Sequence, residues 1–310
     1  MTIVGVDGGQ STLRLAVAGT SLHAEREGFS YFHGDPYGEQ LTAITLCWEE
    51  VGRPAPTAVV ALGLTGAPSD PTRRADFARA VAGVLGAAEV RLCADMVTAH
   101  LGALPDGHGV VVAAGTGVAC LGVDARSGAL QPVDARGHLF GDDGSAFAAG
   151  RAGIAATLRA LDGRGPATAL SEAAERRYGP HRAMTQRLYA SLTVVAETAA
   201  FAVDVDAAAS AGDEVATAII DDAAADLVRS ATAAARVVPD EPVPVAGTGR
   251  WFRAPALHQA FVERLATRPR LQLVEPAGDA LAGACRLAAA ADIGPYLPLV
   301  HVHHEGGRAR

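Results

Sequence analysis

Lysine is absent from the chain, so all 26 basic residues among its 310 are arginines. This absence excludes a Walker A loop, because that loop places a lysine on the β- and γ-phosphates of a nucleotide. It also excludes Schiff-base chemistry on lysine and the strand lysine of protein kinases. An acidic chain can still bind a nucleotide, provided that local backbone N–H groups and a metal ion meet the phosphates.

Cysteine is scarce, and long hydrophobic runs are missing. The four cysteines, Cys47, Cys93, Cys120 and Cys285, form no CxxC pair and have no metal-ligand spacing, so we interpret them as reduced thiols in or near the core. No run of about 18 apolar residues predicts a membrane span, and no basic segment followed by an apolar one predicts a signal peptide. We therefore expect a cytoplasmic protein without a membrane partner.

Composition and length indicate a folded chain of two domains. The formal net charge of -8 argues against a general nucleic-acid partner, which would require a basic surface. Hydrophobic residues make up 49% of the chain and charged residues 19%, which is typical of a globular core rather than disorder. A length of 310 residues exceeds the usual size of one domain.

A unit of strand, glycine-rich turn and strand occurs at the start of each half. The first copy has strands at 2–6 and 13–18 around the turn 7–12, and the second has strands at 109–113 and 118–123 around the turn 115–117. This weak internal repeat predicts a duplicated α/β architecture. A third glycine turn, 247–249, follows a strand predicted at 243–246.

Most of the remaining chain has helical patterns. Between the repeat units, we predict a strand at 57–64, a helix at 70–85 and a strand at 89–94. Later helices are predicted at 145–161, 182–208, 213–237, 254–266 and 278–291. The segment 301–310 has no periodicity, and we expect a mobile tail there, in which three histidines are solvated rather than metal-bound.

The three glycine turns carry the chemistry that the sequence suggests. Glycine lets the backbone approach phosphate oxygens closely, and successive N–H groups in such turns form anion-binding concavities. We predict nucleotide-binding roles for the residues of these turns: Gly8, Gly9, Gln10, Ser11, Thr12, Gly115, Thr116, Gly117, Gly247, Thr248 and Gly249. Asp7 would repel a phosphate unless Mg²⁺ or its waters lay between them, so we interpret Asp7 as a metal ligand rather than only a turn cap.

These motifs resemble those of a known superfamily. IVGVDGGQST at 3–12 is similar to the first phosphate motif of the actin/hexokinase/Hsp70 ATPases, AAGTG at 113–117 to the second, and VAGTG at 245–249 to the adenosine motif. Within that superfamily, GHLFGDDGS at 137–145 resembles the GHxxGDEGS block of the N-acetylglucosamine kinase branch, the BadF/BadG/BcrA/BcrD ATPase family. The resemblance runs from residue 2 to about residue 290 in the expected order.

The resemblance implies an α/β fold with two ribonuclease-H-like lobes and an ATP cleft between them. The lobes would span 1–106 and 107–277, with a C-terminal helix at about 278–300 packing back on the first lobe. It implies ATP and Mg²⁺ as cofactors, with Mg²⁺ positioned through water by Asp7, the first two turns on the phosphates and the third along the adenosine. It also implies a small-molecule sugar as substrate and a homodimer.

The resemblance assigns the acceptor site as well. Asp95 matches the catalytic carboxylate that removes a proton from the sugar hydroxyl, although an aspartate there could also cap the following helix. Thr65 and Gly66 match the lining of the sugar site, Gly137 and Asp142 match the block that borders it, and Asp35 is the nearest counterpart of a family asparagine. The implied reaction is ATP-dependent phosphorylation of N-acetylglucosamine or glucosamine to the 6-phosphate.

Several positions depart from the family pattern. After the second glycine turn, the family has Ser and often Asn where this chain has Val118 and Ala119. The family also has Asn or Thr at the position of Ala94, and Trp at the position of Arg136. These changes alter the sugar pocket rather than the phosphate motifs, and Asp35 and Asp142 could favour a cationic amino sugar such as glucosamine. Two alternatives stay open: a non-catalytic sugar or nucleotide sensor of the same fold, and an ATPase that activates a dehydratase, which would need cysteines for an iron–sulfur cluster.

Overall fold

The structure is a computed structural model that describes residues 2–28, 35–54, 56–239 and 241–306. The chain divides into two compact units. As far as they are described, the first unit comprises Met1–Val111, Val123–Leu130 and Glu275–Arg310, and the second comprises Val112–Gly122 and Gln131–Val274. The domain boundaries near residues 106 and 277 stay a prediction.

The first sheet has six strands in the order β11-β5-β4-β1-β2-β3. Its strands are β1 (Thr2–Gly8), β2 (Thr12–Val17), β3 (His23–Glu27), β4 (Thr57–Leu64), β5 (Ala87–Ala94) and β11 (Val300–His304). β1, β4 and β5 run parallel, whereas β2, β3 and β11 pair antiparallel with their neighbours. The parallel strands are apolar and buried because both faces of such a sheet are covered.

Among the described residues, the α-helices of the first unit are α1 (Pro36–Glu50), α2 (Pro71–Leu85), α3 (Asp95–Ala103) and α11 (Ala280–Ala289). α11 packs closely on β1 and α3 because glycines leave room for it. A Cβ added at Gly283 would lie 1.8 Å from the carbonyl oxygen of Thr98, and one added at Gly5 would lie 2.6 Å from Cys285 Sγ. The last helix therefore rests directly against the strand that carries Asp7.

The second sheet has five strands in the order β10-β9-β6-β7-β8. They are β6 (Gly109–Ala114), β7 (Val118–Asp124), β8 (Ala129–Asp134), β9 (Val243–Thr248) and β10 (Leu271–Leu273), and β9 and β10 pair parallel. The helices that follow are α4 (Ala146–Leu161), α5 (Leu170–Tyr178), α6 (His181–Ala190), α7 (Val194–Ala200), α8 (Ala202–Ser210), α9 (Glu214–Ala234) and α10 (Pro255–Ala266). The mixed α/β class with two sheets is confirmed.

The single helix predicted over 182–208 was wrong, since α6, α7 and α8 replace it. The break between α6 and α7 has a local cause. Ser191 Oγ accepts a hydrogen bond from the Thr193 N–H at 3.1 Å and donates one to the Glu197 carboxylate. Such side-chain bonds compete with the helical hydrogen bonds of the backbone. α5 and β8 had not been predicted.

The expectation of a mobile tail was wrong for 301–304, which form most of β11. β11 pairs with β5 from Val300 opposite Cys93 to His304 opposite Glu89. The alternation of valine and histidine over Val300–His304 is too short to identify an edge strand by itself. Residues 307–310 lie outside the described residues.

Candidate functional site

Three parallel strands of the first unit end at one edge of the sheet and bring the first group of predicted residues together. Asp7 lies opposite Gly63 in β4, and Gly63 lies opposite Cys93 in β5. Asp7 is therefore near the end of β1, while Thr65 and Asp95 directly follow the neighbouring strands β4 and β5. The Thr65 N–H donates to the carbonyl oxygen of Gly8 at 2.7 Å. The carboxyl ends of parallel strands are the usual position of ligand sites in α/β sheets.

Asp95 is held by a side chain from the adjacent strand end. Thr65 Oγ1 donates a hydrogen bond to Asp95 Oδ2. Asp95 begins α3, and Thr98 Oγ1 donates to its backbone carbonyl at 3.0 Å. Gly66 follows Thr65 with φ of 62°, a left-handed conformation that glycine adopts at little cost. The structure therefore brings together three residues that were predicted for the acceptor site: Thr65, Gly66 and Asp95.

The first glycine turn is a tight connection between β1 and β2. The Gly9 N–H donates to the carbonyl oxygen of Thr12 at 2.8 Å, and the Gly28 N–H donates to that of Ser11 at 3.0 Å. A Cβ added at Gly28 would lie 2.3 Å from the Gln10 carbonyl oxygen, so the chain after β3 supports the turn from one side. Sequence reasoning had missed Gly28.

Arg14 joins two carboxylates beside this turn, and it was also missed from the sequence. Its Nε and Nη2 donate to Asp7 Oδ2 at 3.2 Å and 2.6 Å, and its Nη1 donates to Asp279 Oδ2 at 2.6 Å. Burial raises the pKa of Asp7, and the Arg14 guanidinium opposes that rise. Arg14 lies directly opposite Asp7 in the β1–β2 register, whereas the predicted turn at 7–12 would have placed Arg14 opposite Gly5.

The donor set fits Mg²⁺ in the mode that nucleotide enzymes use. Among the described residues, no three His, Cys, Asp or Glu side chains are grouped to hold a metal ion on their own. Mg²⁺ commonly rests on one or two carboxylates, with waters and substrate phosphates completing its ligands. The half-buried Asp7 could supply one such carboxylate, while the neighbouring negative charge of Asp95 adds to the attraction for a cation.

The second glycine turn, between β6 and β7, is tied to the segment that contains Asp142. The Gly115 N–H donates to the carbonyl oxygen of Gly117 at 2.9 Å, and the Val118 N–H donates to Asp142 Oδ1 at 3.0 Å. A Cβ added at Gly117 would lie 2.8 Å from both Asp142 carboxylate oxygens. Burial raises the pKa of Asp142, opposed by the hydrogen bond from Val118. Asp142 therefore shapes this turn, a role that its sequence motif did not predict.

The third glycine turn lies beside the second within the same unit. A Cβ added at Gly249 would lie 2.3 Å from the carbonyl oxygen of Ala114, the residue before Gly115. The Trp251 indole N–H donates to the carbonyl oxygen of Gly144 at 3.0 Å and so ties the third turn to the segment 141–145. Gly247 and Thr248 precede Gly249 at the end of β9, and Thr116 lies between Gly115 and Gly117.

Two predicted substrate residues make local contacts of their own. Asp35 caps α1, accepting a hydrogen bond from the Tyr37 N–H at 3.2 Å. Gly137, with φ of 76°, starts a turn in which its carbonyl oxygen accepts from the Phe140 and Gly141 N–H groups. Leu139 and Phe140 in that turn are 71% and 88% exposed, so this part of the block at 137–145 is a surface loop.

Comparison with solved structures yields relatives that match over nearly their full length. A protein from Chromobacterium violaceum, titled "Putative N-acetylglucosamine Kinase", is 27% identical with a TM-score of 0.72, covering 93% of this chain and 98% of its own. A protein from Porphyromonas gingivalis with the same description is 18% identical with a TM-score of 0.70, covering 93% and 100%. A ROK family glucokinase from Streptomyces griseus, solved with glucose and AMPPNP, shares the fold at 14% identity and a TM-score of 0.59, covering 93% and 99%.

These similarities confirm the actin/hexokinase-like ATPase fold inferred from the three glycine turns. No curated protein matches the chain. In the part of the chain that the structure describes, no helix has the length and apolar character to cross a membrane. The family model of the BadF/BadG/BcrA/BcrD ATPases matches residues 4–288. The chain therefore belongs to the BadF/BadG/BcrA/BcrD ATPase family.

Proposed function

We propose that this protein is an ATP-dependent kinase that phosphorylates a hydroxyl of an amino sugar, N-acetylglucosamine or glucosamine, at the 6-position. The observation that carries the proposal is the carboxylate of Asp95, oriented by the Thr65 hydroxyl at the strand edge that also bears Asp7 and the first glycine turn. Family membership and the similarity to the Chromobacterium violaceum protein support it.

In this proposal, Asp95 accepts the proton of the acceptor hydroxyl as the hydroxyl oxygen attacks the γ-phosphorus of ATP. The bond between the γ-phosphorus and the β,γ-bridging oxygen breaks, and ADP leaves. A positioned general base typically contributes on the order of 10²–10⁴-fold to the rate. The turns at 8–12 and 115–117 would hold the phosphates, and the turn at 247–249 would lie along the adenosine. Asp7 would hold Mg²⁺, which neutralises phosphate charge when bound.

The absence of asparagine restricts which side chains can bind the sugar. No asparagine amide is available for the sugar hydroxyls, which leaves carboxylates, hydroxyls, glutamine, arginine, histidine, tryptophan and the backbone as their partners. We place Asp142, Gly137 and Asp35 among the sugar-binding residues. With Val118 and Ala119 supplying no hydroxyl or amide side chain after the second turn, we propose that a cationic amino sugar such as glucosamine is accepted at least as well as N-acetylglucosamine.

The dehydratase-activator alternative finds no support in the cysteines. Cys47, Cys93 and Cys120 are buried and Cys285 is half-buried. Burial raises the pKa of the Cys93 and Cys120 thiols, which disfavours the thiolate that an iron–sulfur cluster needs. An iron-free, colourless preparation would exclude this alternative directly.

The test is ADP release from ATP and Mg²⁺ with glucosamine, N-acetylglucosamine, N-acetylmuramic acid, glucose and mannose. We expect turnover with an amino sugar that falls at least 100-fold in Asp95→Asn and is retained in Asp76→Asn, an exposed carboxylate on α2. If ATP binds but no sugar stimulates turnover, a sensor of the same fold becomes the better description. Size-exclusion chromatography with light scattering tests the expected homodimer.

A further inference from the structure

Arg14 divides its hydrogen bonds between two carboxylates in an unusual way. Planar guanidinium and carboxylate groups favour two parallel hydrogen bonds, one to each carboxylate oxygen. In this chain, the Arg14 Nε and Nη2 both donate to the same oxygen of Asp7, Oδ2, while Nη1 donates to Asp279. Arg14 therefore engages Asp7 through one oxygen rather than two.

The Asp279 side chain is held in place by a hydrogen bond that does not involve Arg14. It is the N-cap of α11, where its Oδ1 accepts a hydrogen bond from the Ala282 N–H at 3.0 Å. α11 in turn packs against β1 and α3 through Gly5 and Gly283. Oδ2 of the same carboxylate is thus held in place, and it accepts the hydrogen bond of Arg14 Nη1, which then does not bond to Asp7.

We propose that Asp279 is a positioning residue for the divalent cation, acting through Arg14 on Asp7. This inference rests on the proposed function, because it concerns the metal that the kinase would use. Asp279 holds Arg14 in the one-oxygen arrangement and so leaves the Asp7 carboxylate able to accept a cation or its waters. Without the Asp279 carboxylate, Arg14 is free to form the two-oxygen pair with Asp7 and competes with the cation.

The substitution Asp279→Asn separates this role from that of the helix cap. Asparagine caps helices about as well as aspartate, so its Oδ1 can still accept the Ala282 N–H and α11 keeps its first turn. The charge that attracts Arg14 is lost. Thermal unfolding should therefore be close to that of the unchanged protein, and any effect on cation binding cannot be attributed to unfolding.

The experiment measures Mn²⁺ binding to the protein with a non-hydrolysable ATP analogue, by electron paramagnetic resonance of free Mn²⁺. We expect Asp279→Asn to weaken Mn²⁺ binding about 5-fold, which is the size of effect expected for a half-exposed charge network. Binding of the analogue in EDTA, measured by calorimetry, should change less than about twofold. Asp76→Asn removes an exposed carboxylate paired with Arg79 on α2 and serves as the matched charge control.

A double-mutant comparison tests the route through Arg14. In the Arg14→Met background, Asp279→Asn should have no further effect on Mn²⁺ binding, because the competing guanidinium is gone. An undiminished effect in that background would overturn the route through Arg14. Unchanged Mn²⁺ affinity in Asp279→Asn, with normal binding in the unchanged protein, would overturn the inference alone. Failure of the unchanged protein to bind Mn²⁺ with the analogue would overturn the proposed function as well.

Discussion

The Thr65 hydroxyl donates a hydrogen bond to Asp95 Oδ2, although 30 residues separate them in the sequence. The bond joins the ends of β4 and β5, two parallel neighbours in the sheet. A hydroxyl in this position fixes the direction of the carboxylate that we propose as the general base. The orientation of the proposed base is therefore a property of the sheet edge and not of α3 alone.

Replacing Thr65 tests that orientation. Thr65→Val keeps the shape of the side chain and removes the donor, so we expect kcat for the sugar reaction to fall about 10-fold, as loss of a hydrogen bond to a charged group typically costs. Thr65→Ser keeps the hydroxyl and should retain most of the activity. Steady-state kinetics of both variants would decide the point, and equal activity in Thr65→Val would show that Asp95 needs no such support.

Gly249 offers a test of the close packing between the second and third glycine turns. Gly249 has φ of 100°, and an added Cβ would lie 2.3 Å from the Ala114 carbonyl oxygen. Gly249→Ala should lower the free energy of unfolding by about 3–5 kcal/mol, from left-handed strain plus overpacking. Gly212→Ala is the matched control, with φ of 90° and nothing within 4 Å of the added atom. It should cost only about 1–2 kcal/mol in urea unfolding, and equal losses would argue against the packing.

Substitutions of Asp142 can separate its support of the second glycine turn from its proposed role in sugar binding. Asp142→Asn can still accept the Val118 N–H, so the second turn and nucleotide affinity should be preserved, whereas the KM for the sugar should rise about 10-fold. Asp142→Ala removes the acceptor of a buried N–H and should weaken nucleotide binding as well. Calorimetry with the ATP analogue, alongside sugar kinetics, separates the two. A sugar KM unchanged in Asp142→Asn would restrict Asp142 to shaping the turn.

The buried His100 leads us to expect that the free energy of unfolding decreases in acid. It is fully buried, Nε2 lies 3.1 Å from the Gly109 carbonyl oxygen and Nδ1 lies 2.8 Å from Tyr296 Oη, so the neutral ring donates to Gly109 and accepts from Tyr296. Burial lowers the pKa of His100 to about 4 from its ordinary 6.5. Between those pH values the unfolded chain binds a proton that the folded chain does not, so stability falls as pH falls.

His100 in its neutral form contributes on the order of 3 kcal/mol to the free energy of unfolding. This contribution is fully present above about pH 6.5 and is lost by about pH 4. Urea unfolding across this range measures it. His100→Gln can keep both hydrogen bonds and does not titrate, so its stability should depend less steeply on pH. Parallel pH profiles for the two proteins would contradict the prediction.

The sequence alone predicted the three glycine turns and the carboxylates Asp7 and Asp95 at strand ends, and these motifs carry the resemblance that implied the fold class. The roles of Asp7 and Asp95 stay predictions. A strand, a tight turn and a carboxylate at the strand end can be read locally because about ten residues encode them. β4, at Thr57–Leu64, was predicted with the same bounds that the structure has. The helices predicted at 70–85 and 145–161 differ by one residue at their starts from α2 and α4, whose N-caps are Asp70 and Ser145.

Only the tertiary structure decided which of these residues meet. The bond from Thr65 to Asp95, the support of the second turn by Asp142 and the sharing of Arg14 between Asp7 and Asp279 join residues that are 30, 24 and 265 positions apart. Sheet order and helix packing set those contacts, and no periodicity in the sequence records them. The pairing of β11 with β5 has the same origin, since an edge strand is stabilised by hydrogen bonds to its neighbour rather than by a pattern of its own.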